Sequence, residues 1–178
     1  MKTIRMKTRD AAFGFRMGAG FPGDVNRTHP ANIEPAMADT VIPPTAFGQG
    51  LIVAADGKSL RPMVTGDAAQ ALYGVSVRPF PFQQSSATNF GSIAFGAATP
   101  PPGVIDALRS GYIMTSIPTG QTPIKGGAVY MRVAATSGAH IMGGFEAVSD
   151  GGNTVLISNA QFNGAPDSSG NVELMHNI

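Results

Sequence analysis

Hydrophobic and polar residues alternate over short distances along most of the chain after residue 45. Tyr73–Arg78 (YGVSVR) has period two, which predicts a strand with one buried face. Ala46–Ala55 is a short apolar run that ends at Asp56-Gly57, a dipeptide typical of hairpin turns. Leu60–Thr65 follows directly and is predicted to be the second strand of that hairpin.

The last third of the chain consists almost throughout of alternating or β-branched runs separated by glycine-containing turns. Five further strands are predicted there: Tyr112–Ile117, Ala128–Ala134, Gly144–Ser149, Thr154–Ser158 and Asn171–Asn177. Short strands that recur with turn signals between them are typical of sandwiches and barrels. The sequence therefore predicts an all-β fold, jelly-roll or barrel-like, for a body spanning residues 46–178.

One or two short helices are expected within this body. Gly103–Ser110 (GVIDALRS) has Val104, Ile105 and Leu108 at helical spacing, and Gly111 follows as an end signal. Gly66–Leu72 (GDAAQAL) is predicted to form one helical turn with Asp67 at its N-cap.

The segment 12–44 has a different pattern, with four glycines and five prolines. At this density, missing backbone donors and the ordering cost of glycine disfavour both helix and strand. The segment also carries several phenylalanines and methionines, so it is too apolar for a flexible linker. Structureless loops of this length are uncommon within compact domains. We interpret residues 1–45 as an extended N-terminal arm whose apolar side chains lie partly on the surface of another chain.

Composition and charge exclude several classes of function. The chain has no cysteine, which excludes disulfides, thiolate zinc sites and cysteine nucleophiles. It has no apolar run long enough for a transmembrane helix and no secretory signal, so we expect a protein made in a cytoplasm and without membrane contact. Residues 1–27 contain six lysines and arginines against two aspartates, a net charge of +4. This basic, aromatic arm leaves nucleic-acid binding as the alternative function.

No constellation for catalysis, cofactor binding or metal binding is visible in the sequence. Gly18–Gly23 (GAGFPG) matches the dinucleotide fingerprint GxGxxG, but Pro22 lies inside it and no strand–helix context surrounds it. Its glycines are better explained by close backbone packing. The three histidines, His29, His140 and His176, lack the spacing of a metal site. We therefore expect no enzyme activity, no small-molecule substrate and no cofactor.

The order of several short segments resembles that of the structural cement proteins of tailed-bacteriophage heads. These segments are Gly20–Arg27 (GFPGDVNR), His29–Ala31, Pro44–Gln49, Tyr73–Gln83, Gly103–Met114, Lys125–Val129, Gly143–Ala147, Phe162–Gly164 and Gly170–Leu174. They are turn and strand residues, so their order along about residues 12–178 carries the resemblance.

This resemblance implies a decoration protein on the outer surface of an icosahedral head. Such a protein clamps neighbouring major capsid subunits against the pressure of packaged DNA. The implied partners are the major capsid protein and further copies of the chain, with a homodimer favoured over a homotrimer. The protein would be made in the bacterial host and located on the virion capsid, without nucleic-acid contact. The residues expected at the interface are Phe13, Phe15, Arg16, Phe21, Asp24 and Arg27. For Asp24 and Arg27 the alternative is an internal salt bridge that shapes the turn.

Overall fold

A computed structural model of the chain describes residues 20–25, 31–67, 72–79, 100 and 103–177. Its elements are β1 (Asn32–Ala38), β2 (Gly50–Val53), β3 (Ser59–Pro62), β4 (Gly74–Val77), β5 (Val104–Ser116), β6 (Ala128–Arg132), β7 (Phe145–Glu146), β8 (Thr154–Phe162) and β9 (Asn171–His176), with one 3-10 turn, Gly151–Asn153. The all-β prediction is confirmed. No helix in this part of the chain is long and apolar enough to cross a membrane.

The first five strands form a closed ring. β2 and β3 are the predicted antiparallel hairpin, and β2 also pairs with β4. β4 pairs with β5, and β1 closes the ring through an antiparallel ladder with β5 and a short parallel contact with β3. The barrel-like form of the prediction is therefore the observed one. Ring closure protects strand edges that would otherwise be open to unwanted pairing.

β5 belongs to both halves of the molecule. Its first half pairs with β1 and β4 in the barrel, and Gly111–Ser116 pair with β9. From β9 the second half continues through β8 and β6 to β7. The predicted strands of the last third are all present here.

Two hydrophobic clusters follow from this arrangement. The smaller one fills the barrel and contains Leu51, Leu60, Ile105 and Ala107. The larger one contains residues of both halves, including Val75, Leu108, Met131, Phe145 and Phe162. β2 and β5 contribute to both clusters, so they connect the barrel firmly to the second half.

The predicted helix at Gly103–Ser110 is wrong, because these residues begin the long strand β5. Ile105 and Ala107 face the barrel interior, while Leu108 belongs to the larger cluster. A strand buried on both faces has apolar residues at consecutive positions, and such a run also satisfies helical spacing. Most of the predicted turn at Gly66–Leu72 lies outside the described residues, so the cap role of Asp67 stays a prediction. The Asp67 carboxylate forms a bidentate ion pair with Arg61 and accepts the Val64 backbone N–H.

The expectation that segment 12–44 contains no strand is also wrong, because Asn32–Ala38 form β1. Pro35 is tolerated because no other described strand pairs with the second edge of β1 at that position. This part of the predicted arm is therefore a barrel strand. For the residues before it, the extended arm stays a prediction.

Candidate functional site

Gly20–Val25, called here the anchor segment, runs beside β5 at the point where that strand passes between the two halves. Gly23 N–H donates to the Met114 carbonyl at 2.8 Å, and Met114 N–H donates to the Asp24 carbonyl at 2.9 Å. Arg78 N–H donates to the Gly23 carbonyl at 2.9 Å. These three backbone hydrogen bonds fix the anchor segment to the ends of β4 and β5.

Two of the six residues expected at the interface lie in the anchor segment. The Asp24 carboxylate accepts the Phe21 backbone N–H at 2.8 Å, and Asp24 N–H donates to the Phe21 carbonyl at 2.9 Å. Asp24 thus shapes the turn. The Phe21 ring is 42% exposed and lies 4.9 Å from the Arg78 guanidinium.

The other four expected residues, Phe13, Phe15, Arg16 and Arg27, lie outside the described residues. The structure thus brings Phe21 and Asp24 into one turn and leaves their predicted interface role untested.

Close packing around Gly23 accounts for one of the glycines in the GAGFPG motif. The φ of Gly23 is +90°, a conformation that side chains rarely adopt. A Cβ atom there would lie 2.7 Å from Phe47 Cβ and 2.9 Å from the Arg78 backbone nitrogen. At this position the prediction that glycine serves close backbone approach is confirmed.

A buried ionic cluster lies at the far edge of the second half. Arg132 on β6 donates to Glu146 on β7 at 2.6 Å and to Asp150 at 2.8 Å. His140 Nδ1 lies 3.0 Å from the Glu146 carboxylate, and Gln121 donates to that carboxylate at 3.0 Å. Burial opposes ionisation of Glu146, but these hydrogen bonds hold its pKa below the ordinary value. Both oxygens of the Glu146 carboxylate are taken up by these partners. The carboxylate therefore holds β6 and β7 together and is poorly placed for acid–base chemistry.

A second polar group lies where the barrel meets the second half. Tyr73 donates its hydroxyl to Glu34 on β1, and Arg109 on β5 pairs with Glu34 at 3.1 Å. The Arg109 guanidinium also stacks on the Tyr73 ring at 3.5 Å. The hydrogen bonds from Tyr73 and then Arg109 lower the pKa of Glu34. This group holds β1 against β5, the strand with which β1 closes the barrel.

His176, at the end of β9, is 1% exposed. Its ring lies against the backbone of Asn159 and Tyr73, which favours the protonated form, but neither ring nitrogen makes a well-formed hydrogen bond with a described residue. Burial lowers its pKa below the ordinary value of 6.5. The neutral ring is therefore favoured in the folded chain, while the unfolded chain takes up a proton as the pH falls below about 6.5. Because the unfolded state then binds more protons, stability is complete above this pH and is lost progressively below it.

We expect His176→Met to flatten this dependence, since methionine fills similar space and does not titrate. Urea unfolding of both proteins between pH 7.5 and pH 5.5 measures the effect. The wild-type free energy of unfolding should fall more steeply on acidification than that of the variant. Equal slopes would show that His176 does not govern the pH dependence.

The described part of the chain contains no group of three His, Asp or Glu side chains arranged to hold a metal. A small cavity of about 20 Å³ lies between Phe47, Thr115 and Phe145, which is space for about one water molecule.

An exposed apolar surface on the barrel was not predicted. It consists of the outward-facing residues of β1, the turn after β1 and the start of β5, and is called here the outer stripe: Ile33, Pro35, Met37, Val41 and Val104. The period-two pattern of Ile33, Pro35 and Met37 is the sequence signal for it. That signal was hidden because the prolines of this segment argued against any strand.

Comparison with known proteins identifies the family. The model of the XM1 gp53 minor capsid protein family matches residues 11–175. The chain belongs to this family. Membership gives the chain a structural role in a phage capsid, and the predicted relationship to proteins of tailed-phage heads is confirmed at that level.

A solved structure shows the same fold. A chain in "The capsid of Myoviridae Phage XM1" superposes with a TM-score of 0.62 at 14% sequence identity, covering 88% of this chain and 89% of that one. At this identity the likeness shows the fold alone. No curated protein matches the chain.

Proposed function

We propose that the protein is a decoration protein that binds the outer surface of an icosahedral phage head and clamps neighbouring major capsid subunits. The observation that carries this proposal is membership of a minor capsid family over residues 11–175. In this role the protein stabilises the shell against the pressure of packaged DNA and performs no catalysis. Copies associate with one another, most simply as dimers, and the protein reaches the virion after synthesis in the host cytoplasm.

The anchor segment supports a clamp mechanism. Three backbone hydrogen bonds hold it against the ends of β4 and β5, which fixes the base of the proposed arm on the body. Nineteen residues precede Gly20 and, if fully extended, could span about 60 Å. Phe13, Phe15 and Arg16 in this stretch are proposed to contact the shell. Ordering such an arm costs about 1–2 kcal/mol per residue, so each copy binds modestly and many copies act together.

Co-sedimentation with heads that lack the protein tests this function. The chain lacking residues 1–19 is the informative variant, because removal up to residue 44 would also delete β1 and open the barrel. We expect the full chain to bind and the shortened chain to bind on the order of 10-fold more weakly, since it has lost the arm.

Equal binding of both chains would contradict the proposed role of the arm, and absence of binding by the full chain would contradict decoration itself. Single-stranded DNA in the same assay checks the alternative function. Binding to DNA at physiological salt without binding to heads would favour the nucleic-acid interpretation.

A further inference from the structure

The outer stripe groups exposed apolar residues of paired strands β1 and β5 with Val41 in the turn after β1. Met37 on β1 lies directly opposite Val104 on β5, and Ile33 and Pro35 follow at alternate positions on the same outward face. Met37 is 55% exposed, Val104 57% and Val41 83%. Leucine, valine and methionine side chains scattered singly on a surface need no explanation, but a contiguous group marks an interaction site.

The stripe is held rigidly in its exposed position. Cross-strand pairing with β5 fixes Ile33, Pro35 and Met37. The Asp39 carboxylate accepts the backbone N–H of Val41 at 2.6 Å and that of Ile42 at 3.3 Å, which fixes the turn that presents Val41. A surface that is already ordered loses little conformational entropy when it is covered.

The stripe also has little charge. Asp39 beside Val41 is occupied by the backbone N–H groups of its turn, and Asp106, paired with Pro35 across the ladder, forms no ion pair with any described side chain. Beside Val104, a groove of about 210 Å³ lined by Phe47, Val77 and Pro79 continues the apolar surface. The chemistry that fits is an apolar patch with one hydrogen-bond donor or cation opposite Asp106.

The size of the stripe indicates what covers it. Five partly exposed side chains fall in the range of about 300–600 Å² that is common for a functional patch on a monomer. A stable pair of free proteins needs about 800 Å² from each partner. The stripe is thus too small to hold a dimer in solution. It suits a contact repeated many times over one shell, where weak individual sites add up.

Strand addition is the less suitable mode of docking here. The second edge of β1 is unpaired with any described strand from Asn32 to Ala36, but Pro35 in its middle has no N–H to donate. Proline on an edge discourages pairing with another strand. The outward face of β1, and not its edge, is therefore the docking surface.

We propose that the outer stripe is the face of the barrel that lies on the major capsid subunit, with its apolar side chains seated against an apolar patch of the shell and a hydrogen-bond donor or cation of the shell opposite Asp106. This inference rests on the proposed decoration function. The anchor segment and its arm then reach a neighbouring subunit while the barrel sits on the first one. Two separated contacts on different subunits are what a clamp requires.

Met37→Glu tests the proposal, with Leu156→Glu as the matched control. Both positions are outward-facing in a strand, 55% and 57% exposed, but Leu156 lies on β8 in the other half of the molecule. We expect Met37→Glu to weaken co-sedimentation with heads at least about 10-fold, because a charge would be buried against an apolar patch. Leu156→Glu should bind as the wild type does, and thermal unfolding of both variants shows that they fold.

The possible outcomes separate this inference from the function on which it rests. If the wild type fails to bind heads, the decoration function is contradicted. If the wild type and Met37→Glu bind heads equally, decoration stands and the stripe is not the docking face. Light scattering gives the molar mass of each protein in solution. If the wild type is a dimer while Met37→Glu is a monomer that still binds heads normally, the stripe is an interface between copies and the inference is overturned.

Discussion

Replacing Arg132 with methionine is expected to lower the free energy of unfolding by about 3–5 kcal/mol. The side chains of Arg132 and Glu146 are 6% and 2% exposed and lie 2.6 Å apart. Removal of the cation leaves the Glu146 carboxylate buried with only His140 and Gln121 as partners. Urea unfolding at pH 7 measures the loss.

Two further measurements connect the expected loss to this ion pair. The double variant Arg132→Met/Glu146→Met should recover most of the stability, because apolar pairs often replace buried ion pairs at little cost. In the single variant, desolvation without Arg132 raises the pKa of Glu146. Protonation then relieves the buried charge, so the deficit should shrink as the pH falls from 7 towards 4.5, the ordinary pKa of the residue. A deficit that is the same at all pH values would contradict an electrostatic origin.

Gly23→Ala is expected to release the anchor segment, at a cost of at least about 3 kcal/mol. Alanine disfavours the φ of +90° at this position, and its Cβ would lie 2.9 Å from the Arg78 backbone nitrogen. Hydrogen exchange provides the readout, because the amides of Arg78 and Met114 donate to the carbonyls of Gly23 and Asp24. Both amides should lose protection in the variant.

Gly57→Ala is the control for backbone strain alone. Gly57 has a φ of +67°, but a Cβ atom there would have no neighbour within 4 Å. We expect a loss of about 1–2 kcal/mol, with protection of the Arg78 and Met114 amides unchanged. If both glycine variants lose stability equally and the Met114 amide stays protected in each, the anchor segment is not held by close packing at Gly23.

The strands of the second half could be predicted because each has one buried face and turn residues at its ends. β6, β8 and β9 alternate in this way, and Asp56-Gly57 gave the position of the first hairpin. The first half of β5 could not be predicted, because the barrel interior and the larger cluster bury its two faces. Its pattern is then set by two separate partners, which local sequence does not reveal. β1 was also missed, because proline normally argues against a strand. Pro35 is compatible with β1 only because no described strand pairs with the second edge of β1 at that position, and local sequence does not reveal this.

The candidate site was predictable only in part. Glycine and proline density drew attention to the N-terminal segment, and Gly23, Asp24 and Phe21 do form a turn fixed to the body. The partners of this turn, Arg78 and Met114, are distant in sequence, so no local pattern could name them. The ionic cluster was missed for the same reason: Arg132, His140 and Glu146 meet only after β6 and β7 pair.

A cryo-EM map of the virion would show directly whether the protein clamps two capsid subunits. We expect density for the protein on the outer surface of the head, with the outer stripe against one capsid subunit and the residues before Gly20 extending onto a neighbouring one. Density inside the shell, or copies whose N-terminal residues contact only their own barrel, would contradict it.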